Sequence, residues 1–460
     1  MLNRRGFFSL AAGASITLGA KASHAGTAKL TTTSDAPLRG AIDARSAGLI
    51  PGAFDDQSRA LNRLIEEADR LDMAIALPAG IYVVSNIILK PRTRIIGDGG
   101  GSRLVYGGDG HLLYGENAEQ VTLRGLIIDG ANRRLGDHVN GLLHLRDVAN
   151  LALDDCDIVG SAGHGISLER CAGSIERSRI AGAAQAGIYS IEGKGLDIHR
   201  NTVSECGNGG ILIHRWLIAS DPTSISGNRI ERIHAYAGGT GQNGNGINTF
   251  RASDVMIANN RITDCAFSSI RCHSGSNLQV TGNQCKNSGE TAIYAEFAFD
   301  GAAITGNLID GAANGISAVN FNEGGRLAAV QGNVIRNLRL TGPYDPGAPV
   351  FGIGISVEAD AAVTGNVIEN APRFGINAGW GKYLRDVAIT GNVVRSCASG
   401  IAVSVSTDAG PAIVSGNLVS GAKNGAIVGQ DAGTVTISDL GRSAGRGLFS
   451  RLTIERNTVS

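Results

Sequence analysis

Four residues in the middle of the chain, Arg271, His273, Tyr294 and Glu296, have the types and spacing to act together. Each pair is separated by one residue and follows an apolar residue, Ile270 or Ile293, at the start of a short β-type run. Residues two apart in a strand share a face, and strands stacked in register would bring the two pairs to about 5 Å from each other. Such a square offers His273 or Tyr294 as base or acid, Glu296 to tune the imidazole, and Arg271 to neutralise a substrate carboxylate. Removing a proton beside a carboxylate begins both elimination and epimerisation of a uronate polymer. Hydrolysis would need two facing carboxylates, which the strip lacks. The alternative is a surface strand that simply carries polar residues.

The same alignment extends along the chain. One outward column reads Ser167, Tyr189, Leu212, Asn248, Arg271, Tyr294, Ser317; the next reads Glu169, Ile191, His214, Phe250, His273, Glu296, Val319. Tyr189, Asn248 and His214 therefore join the strip as candidate substrate-binding residues, and Arg215 and Trp216 follow His214 at the start of an enlarged turn. Trp216 offers a flat face for a sugar, or else covers its own loop's small core. Later strands carry little at these positions: Asn377 and Gly379, then Ala402 and Ser404. Long turns at 233–245 and 341–350 flank the same sector, as walls of a groove would. His144 has no settled side.

Holding such columns requires strands stacked with a fixed register. One phrase, Ile304-Thr305-Gly306-Asn307-Leu308-Ile309, returns as Val363-Thr364-Gly365-Asn366-Val367-Ile368 and again as Ile389-Thr390-Gly391-Asn392-Val393-Val394. The recurring Asn runs from Asn201 to Asn417, mostly at intervals of 23 to 27 residues, with Cys156 and Ser178 at the same place in earlier coils. A second phrase, Gly followed by an apolar residue, opens another strand at Gly210, Gly246, Gly315, Gly375 and Gly400. Three short strands per repeat, with Asn and Gly at the bends, predict an all-β protein, a right-handed parallel β-helix carrying an Asn ladder. Paired helices fail on composition, since 66 Gly and apolar runs of two to four residues cannot sustain a 3.6-residue period.

The chain opens with Asn3-Arg4-Arg5-Gly6-Phe7-Phe8, an apolar run from Leu10 to Ala20, and Ser23-His24-Ala25 as a cleavage site. This resembles a twin-arginine export signal over 1–25, which implies the twin-arginine export machinery as a partner and a periplasmic or secreted protein. The run is too short to span a bilayer, so the mature form is expected to have no membrane segment. Residues 26–41 read as a linker. Ala60, Leu61, Leu64, Ile65, Ala68 and Leu71 then recur at helical spacing, with Asp55, Asp56 and Ser58 available as caps, and predict a helix that plugs the first coil.

After it come Ala76-Leu77-Pro78-Ala79-Gly80-Ile81-Tyr82 and Ile87-Ile88-Leu89-Lys90. Here, over 42–104, the chain resembles the opening segment of pectate-lyase-like β-helix proteins. Residues 105–460 continue as β-helix repeats, and the whole chain resembles exported bacterial repeat proteins with no assigned activity. The last phrase, Leu452 to Ser460, has no capping helix after it, and such an edge invites self-association through the C-terminal coil.

Lys plus Arg equal Asp plus Glu at 41 each, so no basic field exists to gather nucleic acid. The seven Cys show no Cys-x-x-Cys pair, Cys206 and Cys265 fall two coils apart, and Cys272 and Cys285 point inward. Pectate lyases commonly gather acidic groups for calcium, whereas these columns offer only Glu169 and Glu296, far apart, so neither a metal ion nor a cofactor is expected. Gly163-His164-Gly165-Ile166 with Asp154-Asp155 resembles fragments of the polygalacturonase pattern, but the Asp pair falls on the ladder turn and the repeat itself accounts for the match. The sequence thus points to an exported β-helix acting on an acidic polysaccharide as lyase or epimerase, with a non-catalytic carbohydrate-binding or envelope protein as the alternative.

Overall fold

The computed structural model describes residues 40–345, 350–441 and 449–460. The expected export signal and nearly all of the expected linker lie outside them, as does part of the 341–350 turn. Strand structure already begins at Ala41, one residue inside the expected linker, where Ala41–Asp43 pairs with Ala74–Ala76.

Each coil lays down three strands on three faces of a right-handed parallel β-helix. The first face carries the Gly-apolar strands, such as His164–Glu169, Asn245–Ser253 and Ile270–His273. The second carries Leu196–His199, Met256–Ala258 and Leu278–Thr281, and the third Thr202–Ser204, Arg261–Cys265 and Val334–Arg336. Every strand pairs in parallel with its equivalents on the neighbouring coils, apart from one terminal hairpin.

Register follows from the inward residues. On the first face one inward position is Ile on every coil from Ile166 through Ile270 to Ile427, each Ile lying directly over the next. All of them are at most 1% exposed, and each buried Ile side chain is worth roughly 1.5–3 kcal/mol, so slipping one residue would turn this column to solvent.

The Asn ladder is present, and it works through side chains. In the Gly-Asn turns the left-handed residue is the Gly, as at Gly306 (φ 63°) and Gly365 (φ 65°), while the Asn after it keeps an ordinary backbone. Asn333 shows the pattern: its Oδ1 accepts from the backbone N–H and Nδ2 of Asn307 (2.9 and 3.0 Å), and its Nδ2 donates to the Ile304 carbonyl (3.0 Å) and Asn366 Oδ1 (2.9 Å). The series begins at Cys156, whose N–H donates to the Ser178 hydroxyl (3.1 Å), passes on as the Ser178 N–H donates to Asn201 Oδ1, and extends to Asn457.

The N-terminal end is plugged by the helix Ser58–Leu71, which buries Leu61, Leu64, Ile65 and Ala68. It starts later than the acidic pair suggested, with Gln57 in the cap position and Asp56 accepting from the Ser58 N–H. Asn62 on this helix satisfies the open strand edge, accepting from the Ile88 N–H (2.9 Å) and donating to the Asn86 carbonyl (3.0 Å). At the other end the first face does not stop on an open coil. Ile427–Asp431 turns back in an antiparallel hairpin with Thr434–Ile437. All seven Cys are buried free thiols. No helix among the described residues is long and apolar enough to cross a membrane.

Candidate functional site

The outward columns of the first face stack as the alternation requires. Tyr189, Leu212, Asn248, Arg271, Tyr294 and Ser317 follow one another in register, as do Glu169, Ile191, His214, Phe250, His273 and Glu296. His144 belongs to the first of these columns, opposite Tyr114 and Ser167, and is nearly buried.

Over these columns runs a line of half-buried rings, one per coil on six successive coils. His164 stacks on Tyr189 (centroids 4.8 Å apart, planes at 16°), Tyr189 meets His214 edge-on (5.4 Å), and His214, Phe250, His273 and Phe297 continue at 5.6, 4.9 and 4.2 Å. Every second ring is an imidazole. Burial pushes His164 and His214 down to about 4, so both are neutral at pH 7. Burial, followed by the charges of Arg271 and Arg251, also lowers His273, whose Nδ1 lies 2.9 Å from the Ser274 hydroxyl.

The Arg271, His273, Tyr294, Glu296 square is formed, but its partners are redistributed. Arg271 donates from Nε and Nη2 to the two oxygens of Glu296 (2.5 and 3.0 Å) and from Nη1 to Oε2 of Glu290 (3.1 Å), while its guanidinium lies 5.1 Å from the Tyr294 ring centre. Glu296 therefore serves Arg271 and not His273, and Arg271 already faces two protein carboxylates. Both carboxylates are 2% exposed. Burial raises them above the ordinary carboxylate value, Arg271 pulling the other way. Burial likewise raises Tyr294, with Glu296 and Glu290 adding to it, so its hydroxyl stays protonated.

This node also ties down the loops. The Tyr344 hydroxyl, from the 341–350 turn, donates to Oε1 of Glu290 (2.8 Å). From the 233–245 turn, Gly241 (φ 133°) lies so close over Arg271 that a Cβ there would sit 1.6 Å from Nη1. Only glycine allows that approach. Thr240–Gln242, Asn248, Arg271, His214, Phe250, His273 and Phe297 enclose a cleft of about 410 Å³.

The exit loop differs in part from expectation. Arg215 is a brace, paired with Glu192 (2.8 Å) and donating to the carbonyls of Gly193 and Ser220, and so is not available to a ligand. Trp216 covers no loop core, being 53% exposed beside Leu217 and Ile218. Its carbonyl is held by Arg251, whose guanidinium lies 4.7 Å from the Phe250 ring centre and forms no ion pair among the described residues. Glu290, Arg251, Phe297 and Tyr344 were not legible as site residues. Phe297 lies just past the end of its strand and Arg251 inside its own, both with left-handed backbone (φ 57° and 59°), and Tyr344 arrives from a loop more than fifty residues after Glu290.

Residues 85–217 and 216–324 match the model of the right handed beta helix region, together more than half of the sequence. The chain belongs to this right-handed β-helix family. Residues 319–460 in addition match the model of the periplasmic copper-binding protein NosD. No curated protein matches the chain. Among solved structures it is similar to the pre-mature gene product 12 of bacteriophage phi29 (16% identity, TM-score 0.52), covering 90% of this chain and 58% of that one. It is also similar to an exopolygalacturonase from Thermotoga maritima (11%, TM-score 0.43, 91% of each chain) and to the surface adhesin PfbA of Streptococcus pneumoniae (14%, TM-score 0.46, 85% of this chain and 94% of that one). At such identities the likeness is one of fold alone.

The NosD match raises copper, and the residues do not fit it. Copper is held by imidazole, thiolate and thioether groups, but residues 319–460 contain no His, no Met and one Cys. That Cys397 is buried, and burial pushes its thiol up. Among the described residues no three His, Cys, Asp or Glu side chains gather to hold a metal ion.

Proposed function

We propose that the chain is an exported β-helix protein that binds an acidic polysaccharide along the ring line of its first face and acts on it as a lyase or epimerase at His273. The observation that carries the reading is the position of His273. It is an imidazole held neutral between Phe250 and Phe297, in a cleft of about 410 Å³, with the guanidinium of Arg251, which forms no ion pair among the described residues, beside it. A polymer lying along the solenoid axis would meet one ring per coil, with Trp216 at the rim. His273 would take the proton from the carbon next to the carboxylate, and Arg251, in place of Arg271, would steady the charge that develops. In a lyase the electrons left behind form a carbon–carbon double bond as the glycosidic C–O bond breaks and its oxygen is protonated. In an epimerase the carbon is reprotonated from its other face.

A periplasmic or secreted location, reached through the twin-arginine signal, is supported by the match to the periplasmic NosD family. The second reading is binding without turnover, and the engagement of Arg271 by two protein carboxylates favours it. The mature protein and a His273→Ala variant, incubated with alginate, pectate and glycosaminoglycan polymers and followed by absorbance of unsaturated uronates, separate the two. Signal in the parent alone supports the lyase with His273 as base, and its rate should rise with pH through a value below the ordinary 6.5 and then stay level, because the neutral imidazole is the base. Silence in both, with polymer retained on an affinity gel and no exchange of solvent deuterium into it, would leave the binding protein.

A further inference from the structure

One buried carboxyl on the first face takes no part in the site described above. Glu358 follows the strand Ile353–Val357 and lies further along the outward column that contains Glu296. It is 9% exposed and forms no ion pair among the described residues. Its Oε2 accepts from the backbone N–H of Phe321 (2.7 Å), in the short loop 320–325. The other side of this loop touches the ring line. Asn320 accepts at Oδ1 from the N–H of Phe297 (3.1 Å), and Gly325 lies so close that a Cβ there would sit 2.6 Å from the Phe297 carbonyl oxygen. Phe297 in turn stacks on His273, with centroids 4.2 Å apart. Glu358, the loop, Phe297 and His273 therefore form one contiguous path.

A glutamine would accept the same bond with no charge to bury, so a carboxyl at this place needs a reason. No cation compensates it. Arg385, over the Phe321 ring, and Arg326 are both held by Asp360, and Lys382 lies against the Tyr383 ring. Glu296 is held by Arg271, and Glu323 is exposed in the loop itself. Burial pushes Glu358 up to about 7, against the pull of the backbone N–H groups of Phe321 and Asn320. The docked loop therefore binds this proton more tightly than a released one, whose carboxyl returns towards 4.5. The hold on the loop declines as pH rises from 4.5 and is weakest above about 7.

We propose that Glu358 is a positioning residue, which through the 320–325 loop sets how closely Phe297 covers His273. The cover is firm while the carboxyl keeps its proton and relaxes as it ionises. The bearing on catalysis rests on the reading of His273 as the base; the positioning itself does not.

The test follows two groups in the mature protein with no polymer present: the imidazole of His273, titrated by nuclear magnetic resonance of isotope-labelled histidine, and the Phe297 amide, by hydrogen exchange corrected for the intrinsic rise with pH. Glu358→Leu removes the anchor, Glu358→Gln keeps an acceptor without the charge, and Asn320→Gly removes the bond to Phe297 while tolerating the left-handed backbone there (φ 71°). Thermal melts confirm that each variant is folded. In the Leu and Gly variants the Phe297 amide should exchange roughly tenfold faster or more, tenfold being about 1.4 kcal/mol. His273 should titrate nearer 6.5 in both, while His164, at the far end of the ring line, stays where it is. Glu358→Gln should match the parent at about pH 5 and protect the Phe297 amide better than the parent at about pH 8. A folded Glu358→Leu variant with both groups unchanged would overturn the part of Glu358, and an unchanged Asn320→Gly variant would overturn the link to His273. Should Glu358→Leu not fold, Glu358→Gln decides in its place, and a pH response equal to the parent's overturns the proposal. Failure of the parent to act on any polymer would remove the bearing on catalysis and leave these readouts as they are.

Discussion

Replacing Arg271 by Leu tests whether the centre of the site is a structural node or a free cation. The substitution removes three charge-assisted hydrogen bonds and leaves Glu290 and Glu296, each 2% exposed, without the cation that faces them. Breaking a buried pair by deleting one partner costs about 3–5 kcal/mol, and here a single deletion strands two carboxylates. Protonation is the route of relief. In the parent, burial already holds both carboxylates above 4.5, and loss of the guanidinium moves them further up. In the variant the folded state therefore binds more protons than the unfolded chain between pH 4.5 and the raised folded values. Stability must then rise as pH falls through that window, level off below it, and be lowest at alkaline pH. Urea unfolding followed by circular dichroism at about pH 8 and about pH 5 should show the variant recovering by roughly 1–2 kcal/mol at the lower pH relative to the parent, one unit of pKa being 1.36 kcal/mol. Adding Glu290→Gln to Arg271→Leu should restore part of the loss at pH 8, so the two changes are not additive. A single-variant loss below about 1 kcal/mol, equal at both pH values, would refute the node and return Arg271 to the role of substrate cation.

Three further outcomes are expected. Asn333→Ala removes four hydrogen bonds at a fully buried position and should cost about 2–4 kcal/mol in urea unfolding, whereas Asn457→Ala at the partly buried end of the ladder should cost clearly less. Aromatic disulfide reagents should label no thiol of the native protein at pH 8, since burial pushes Cys156, Cys206 and Cys285 up to about 12, and all seven should react once the chain is unfolded; rapid labelling of even one in the native state would contradict the packing. Equilibrium dialysis of residues 26–460 against cuprous or cupric ion should retain no stoichiometric metal, despite the family match over 319–460, and one bound ion per chain would show ligands that the described residues do not gather.

Much of this molecule could be read along one dimension because a parallel solenoid is nearly one-dimensional. Strand alternation fixes which residues face outward, the repeat fixes which residues are stacked, and so the columns through Arg271 and His273 follow from the sequence, as do the Asn ladder and the N-terminal helix. Tertiary structure decided what the repeat rule does not constrain. The ladder turn needed a left-handed residue, and packing gave that place to Gly306 and its equivalents while keeping Asn307 for side-chain bonding. Glu290 and Tyr344 reach Arg271 from irregular segments, so the cation's partners depended on where loops close and not on spacing. Phe297 and Arg251 take left-handed backbone, which breaks the strand alternation from which their side would be read. Periodic positions inherit their geometry from the strand, whereas a loop residue acquires its neighbours only when the chain has folded back to meet them.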